Sequence, residues 1–214
     1  LSLIYKSSLP RWLPWISGFV FLLLLLQGGL GALTVINLLP SVVVIAHLFL
    51  ALMLIAVMSG VTQTLLKPGV KESPFWWKAL SGGSLLAVVS QSLLGSRIAT
   101  TWAGQKCIAS GIDCKWMDLH RITALPVAIC VLSLVLTALC LGGWFRNQWP
   151  ILLFVLALVI GQIFLGIFSV HFNLTEPLIR VSHQVVASLL VAFLSALFCT
   201  KPLALPLNNI ENLE

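Results

Sequence analysis

Acidic residues are nearly missing from this chain: six Asp and Glu among 214 residues, with charged residues of every kind making up only 8%. Soluble domains carry about 25% charged residues, so a soluble enzyme, a nucleic-acid-binding protein and a disordered tail are all excluded. Also lacking is the polar/apolar alternation of a barrel strand. What fills the space is apolar: 59% of the residues are hydrophobic and the mean hydropathy is +1.08. A spanning helix needs about 20 apolar residues, so the chain has room for six with short loops. The net charge of +6 bears on membrane orientation rather than on an anionic partner.

Long apolar runs predict spans over 12–36, 41–66, 79–98, 118–142, 149–170 and 178–199. The run Phe19 to Leu26 has the look of a signal-peptide core, but it continues through Gln27-Gly28-Gly29 without a convincing cleavage site and reads as a retained span. All eight tryptophans (Trp12, Trp15, Trp76, Trp77, Trp102, Trp116, Trp144, Trp149) fall near span ends or in loops, as expected for an interfacial belt. Pro150 suits a helix start, and Pro126, inside the fourth span, is expected to kink it.

Lys6, Arg11, Lys67, Lys71, Lys78, Arg146 and Lys201 collect on one side of this topology, and Arg97, Lys106, Lys115, Arg121 and Arg180 on the other. The positive-inside rule then places both ends of the chain in the cytoplasm. Cys107 and Cys114 lie in the longest loop, on the less positive side. A disulfide between them requires that side to be oxidising, which agrees with the charge asymmetry. Their C-x6-C spacing is too wide for a thioredoxin-type motif, leaving a structural staple or a redox relay. Cys130, Cys140 and Cys199 lie within spans and read as small apolar fillers.

A repeat organises the rest. Odd-numbered spans each carry Q-x-x-L-G (Gln27 to Gly31, Gln91 to Gly95, Gln162 to Gly166), and even-numbered spans carry H-x-x-x-A (His47/Ala51, His120/Ala124, His183/Ala187). The Gln-to-His spacing is 20, 29 and 21 residues, so the middle hairpin holds the extra loop with the cysteine pair. The fold expected is therefore an all-α integral membrane protein of six transmembrane helices arranged as three repeated hairpins. Residues 71–200 would form one complete four-helix module, 1–70 the second hairpin of another, and 201–214 a loose tail. Since the chain opens with Leu1 and the first module is only half present, an upstream hairpin is expected.

Ionisable side chains inside a membrane are costly and by default suggest function. Imidazole is the commonest metal-ligating side chain. His47, His120 and His183 stand at one depth on mutually parallel spans, and an Ala one turn on leaves room for a flat macrocycle. Two such helices can sandwich a heme iron between histidines. For a lone histidine an interhelical hydrogen bond would be the better reading; three copies with the same neighbour favour ligation. Zinc is disfavoured because no carboxylate or cysteine accompanies them at ligand spacing. His171 lies outside the repeat and reads as interfacial. The glycines would allow close approach of helices or of a porphyrin, and Gln27, Gln91 and Gln162 either bond across helices or line the pocket. Arg97, Arg121 and Arg180, at the rim, suit heme propionates or lipid headgroups. The sequon Asn173-Leu174-Thr175 abuts the membrane and carries little weight.

Gln27-Gly28-Gly29-Leu30-Gly31-Ala32-Leu33-Thr34-Val35, the turn Leu38 to Pro40 and Ala46-His47-Leu48 resemble the third and fourth spans of bacterial heme A synthases. Leu94-Gly95-Ser96-Arg97, the Cys107/Cys114 loop and His120-Arg121 resemble that family's fifth and sixth spans, and Gln162 to Gly166 with His183-Gln184 its seventh and eighth. The resemblance implies oxidation of a methyl group of heme O to the formyl group of heme A, through two hydroxylations and loss of water, for cytochrome oxidase. It implies that His120 and His183 ligate heme b and that His47 belongs to the site of the substrate, heme O. It also implies a bacterial inner-membrane location, with heme O synthase and oxidase assembly factors or a second copy of the chain as partners. The family's catalytic glutamate lies three residues before a histidine of the first hairpin. The residue three before His120 is Met117, so no catalytic acid is assigned, and the chain by itself is expected to be inactive. A bis-histidine heme b electron carrier and a thiol–disulfide protein using Cys107 and Cys114 are the alternatives.

Overall fold

The computed structural model describes residues 10–66, 69, 71–112 and 114–202. Lys6 and Lys67 of the charge tally, and the tail beyond residue 202, lie outside the described residues. Among the described residues eight helices follow in order: α1 (Leu13–Ile36), α2 (Ser41–Leu66), α3 (Phe75–Thr100), α4 (Ala103–Ser110), α5 (Cys114–Leu141), α6 (Gly143–Arg146), α7 (Trp149–His171) and α8 (Pro177–Cys199). All except α4 and α6 are long and apolar enough to cross a membrane, and among the described residues there is no strand. The chain is an all-α integral membrane protein. Its helices are apolar on nearly every face, as the bilayer requires, because lipid and protein interior are equally apolar surroundings.

Helices α3, α5, α7 and α8 close a ring in which α3 packs on α5, α5 on α7, α7 on α8 and α8 on α3. Thus α5 and α8 stand at opposite corners. Helix α2 lies outside the ring against α8 and α3, and α1 packs on α2. Leu23 is the one buried residue of α1. Leu134 and Val135 of α5, Leu152 and Val155 of α7, and Val191, Leu194 and Leu197 of α8 form the dry centre of the ring.

Lipid tails give no hydrophobic drive for helices to associate, so small residues and polar bonds decide which faces meet. The α2–α8 seam shows this. Ser59 Oγ donates to the Ala192 carbonyl and Ser195 Oγ to the Ala56 carbonyl, both at 2.6 Å. Gly60 admits the Cys199 side chain, whose Sγ would be 2.8 Å from a Cβ added there.

Two expectations change. Trp77 is no belt residue: it is fully buried, donates from Nε1 to the Leu197 carbonyl at 2.8 Å, and stacks with Trp144 and Phe145. It sits where α3 begins four residues ahead of the expected span, directly after Pro74 at the helix N-cap. Trp15, Trp102 and Trp149 remain exposed. The long loop contains a helix, α4, which the disulfide Cys107–Cys114 ties to the first residue of α5. Helix α5 runs on through Pro126, whose ring lies at an exposed position.

Candidate functional site

Each repeated histidine is the seventh residue of its helix: His47 of α2, His120 of α5 and His183 of α8. At 1.5 Å per residue that is about 9 Å from the helix start. Each repeated glutamine stands nine residues before the end of the preceding long helix, Gln27 in α1, Gln91 in α3 and Gln162 in α7. The hairpins therefore bring glutamine and histidine to the same level three times. The short turns share a device as well. Leu38 and Leu39, like Asn173 and Leu174, adopt left-handed backbone, and Leu39 N and Leu174 N bond to the carbonyls of Thr34 and Ser169 at 2.8 Å.

The glycine four residues after each glutamine lies on the same helix face and receives the imidazole. A Cβ added at Gly31, Gly95 or Gly166 would stand 3.3, 3.3 or 3.4 Å from Cε1 of His47, His120 or His183. Gly28, Gly29 and Gly161 have nothing within 4 Å of such a Cβ. The repeat is thus a Gln/Gly cradle for the histidine of the next helix. The alanines one turn after the histidines do not share an environment: Ala187 is buried, Ala51 half-buried and Ala124 exposed. Long helices surround α8 on three sides and α5 on only two, which leaves Ala124 exposed where Ala187 is covered.

The glutamines do not bond alike. Gln27 Nε2 lies 3.2 Å from His47 Nε2, and Gln162 Nε2 lies 3.2 Å from His183 Nε2. Gln91 instead donates to the His120 backbone carbonyl at 2.7 Å, and its Oε1 lies 2.7 Å from Thr123 Oγ1, whose single proton it shares with the Leu119 carbonyl at the same distance. Thr123 was not among the candidate residues. Aligning the three repeats on their histidines would reveal it, because the equivalent positions hold Leu50 and Val186. In all three histidines Nδ1 is buried without a hydrogen-bond partner.

His120 and His183 occupy opposite corners of the four-helix ring, each half-buried. His47 stands on α2, outside the ring. Of the rim arginines, Arg97 is half-buried, with its guanidinium carbon 4.3 Å from the centre of the Trp116 ring in a cation–π contact and its Nε buried without a partner. Trp116 is one turn before His120, so this stack lies beside the His120 cradle. Arg121 and Arg180 are exposed. Met117, three residues before His120, is buried, and His171 packs edge-on against Phe172 at the end of α7.

These residues fit a heme with two axial imidazoles. Two histidines stand at opposite corners of one four-helix ring, the pair of imidazoles that such a group needs, and a guanidinium whose Nε is buried without a partner lies beside one of them. Among the described residues no three His, Cys, Asp or Glu side chains gather into a metal site. Comparisons of the chain with protein-family models, with curated proteins and with solved structures find no match.

Proposed function

We propose that this chain is a heme-carrying membrane oxidoreductase of the heme A synthase type, with His120 and His183 as axial ligands of heme b and His47 as part of the site for heme O. The observation that carries this reading is the Gln/Gly/His cradle, repeated in register in three hairpins, with two of its histidines at opposite corners of one ring. A structural hydrogen bond alone would not require a glycine against the imidazole each time. Two protein ligands suffice for a metal whose macrocycle supplies the other four.

Bound heme would supply the electron-transfer and oxygen chemistry that protein side chains lack. The chain's own residues supply the surroundings. The glycines fix where each imidazole stands, the apolar ring helices exclude water, and Arg97, held against Trp116, offers charge-assisted hydrogen bonds to a propionate. The Cys107–Cys114 disulfide supports placing the histidine end of the bundle in an oxidising compartment, outside a bacterial inner membrane, with the opposite end cytoplasmic.

Protein purified in detergent after expression with heme should show the Soret and α bands of low-spin bis-histidine heme. His120→Ala or His183→Ala should abolish that signal and Cys107→Ser should retain it. Full heme occupancy in both histidine variants would refute the ligand assignment. Extraction of pigments from cells expressing the full-length gene then tests the reaction, since only a synthase converts heme O to heme A. Heme bands without conversion would favour the electron carrier. A heme-free protein with a reducible Cys107–Cys114 bond would favour the thiol–disulfide reading.

A further inference from the structure

The three cradles leave their histidines in two different states. Because Nδ1 of every one is buried, Nε2 is the nitrogen through which a ligand can be reached. At His47 and His183 that nitrogen is already engaged by a glutamine amide. The amide nitrogen can only donate, so the imidazole Nε2 accepts, and the lone pair that a metal would need is already taken. At His120 it is not engaged. The His120 carbonyl takes the Gln91 amide nitrogen and Thr123 Oγ1 lies 2.7 Å from the amide oxygen, and among the described residues His120 Nε2 has no hydrogen-bond partner. One imidazole of the ring is open, and the one at the opposite corner is capped.

We propose that Gln162 is a placeholder on His183, so that the site takes up heme in a set order: His120 captures the iron first, and His183 completes the coordination after its bond to Gln162 breaks. Gln162 is then a positioning residue, acting through His183, and Thr123 is the residue that keeps Gln91 from doing the same to His120. This rests on the heme reading above. The order follows from the asymmetry between two cradles that are otherwise in register, and a purely structural glutamine would give no reason for it.

The test is rapid mixing of the detergent-solubilised, heme-free full chain with ferric heme b, followed by absorbance. Wild type should pass through a high-spin, five-coordinate species before the low-spin bis-histidine spectrum appears. His183→Ala should stop at the high-spin stage, and His120→Ala should lose the fast first phase. Gln162→Leu should speed the second phase by roughly five- to tenfold, the value of one net hydrogen bond. Val186→Thr puts a hydroxyl where α5 has Thr123; it should draw the Gln162 amide away and speed the same phase without removing the glutamine. Equal final low-spin amplitude in both variants shows an intact site. An unchanged second phase in both variants would overturn the placeholder, as would first capture that survives in His120→Ala and is lost in His183→Ala. Wild-type protein that never becomes low-spin would overturn the heme reading itself, and the order with it.

Discussion

Ser59 on α2 and Ser195 on α8 are reciprocal partners: each hydroxyl donates, at 2.6 Å, to the carbonyl three residues before the other serine. Ser59 stands twelve residues after His47 and Ser195 twelve after His183, while the two acceptors, Ala56 and Ala192, each stand nine after. Equivalent positions of the repeat therefore meet across the α2–α8 seam. Two parallel helices can exchange equal contacts in this way only about a local two-fold axis running along them. The first and third hairpins are related in space as well as in sequence.

Ser59→Ala and Ser195→Ala should destabilise the protein by similar amounts, about 0.5–1.5 kcal/mol each. Thermal unfolding in detergent would measure this. The double variant should lose close to the sum, because each bond has its own donor and acceptor. A large loss for one serine and none for the other would mean that the two contacts are not equivalent.

Alanine at Gly95 or Gly166 should push the imidazole by a few tenths of an ångström and lower heme occupancy, since the rings lie 3.3 and 3.4 Å from the added carbon. Gly161→Ala, with open space around it, should keep occupancy and gain about 0.5–1 kcal/mol of helix stability. Occupancy from the Soret band, read beside unfolding temperature, separates the two effects.

Trp77→Phe should cost about 1–3 kcal/mol, because it leaves the Leu197 carbonyl without its side-chain donor in the dry centre of the bundle. Trp15→Phe, at an exposed position, should change unfolding little. Equal effects would return Trp77 to the interfacial belt.

Glu72, outside the spans, is held down at about 2 from an ordinary 4.5 by hydrogen bonds first from Lys201 and then from Lys78. A carboxylate with a lowered folded-state value stabilises above its unfolded value, and that contribution disappears as pH falls from about 4.5 through about 2. The group is fully exposed, so the effect on unfolding should be small. Carboxyl NMR should nevertheless show a midpoint near 2 that rises in Lys201→Ala. A midpoint unchanged in that variant would show that Lys201 is not the principal partner.

Reducing Cys107–Cys114 should lower stability by about 2–3 kcal/mol by freeing the short segment it closes. Far-ultraviolet circular dichroism should show the six long helices intact. Loss of those helices on reduction would show that the disulfide holds more than the α4–α5 junction.

Composition and run length by themselves determined the six spans, since the cost of unsatisfied backbone in lipid leaves long apolar segments no alternative to helix. They also determined the repeat, because the Gln, Gly and His that must recur at one depth are conspicuous in an apolar chain. The cysteine pair was legible for the same reason. What only the tertiary structure decided is which faces meet. An apolar side chain serves equally well toward lipid or toward a neighbouring helix, so periodicity does not tell Trp77 in the core from Trp15 outside it, or buried Ala187 from exposed Ala124. Nor does spacing tell that Gln162 reaches the His183 ring while Gln91 stops at the His120 carbonyl. In α5 the Thr123 hydroxyl lies against the Gln91 amide where α8 has Val186, and such a contact exists only once the helices are side by side.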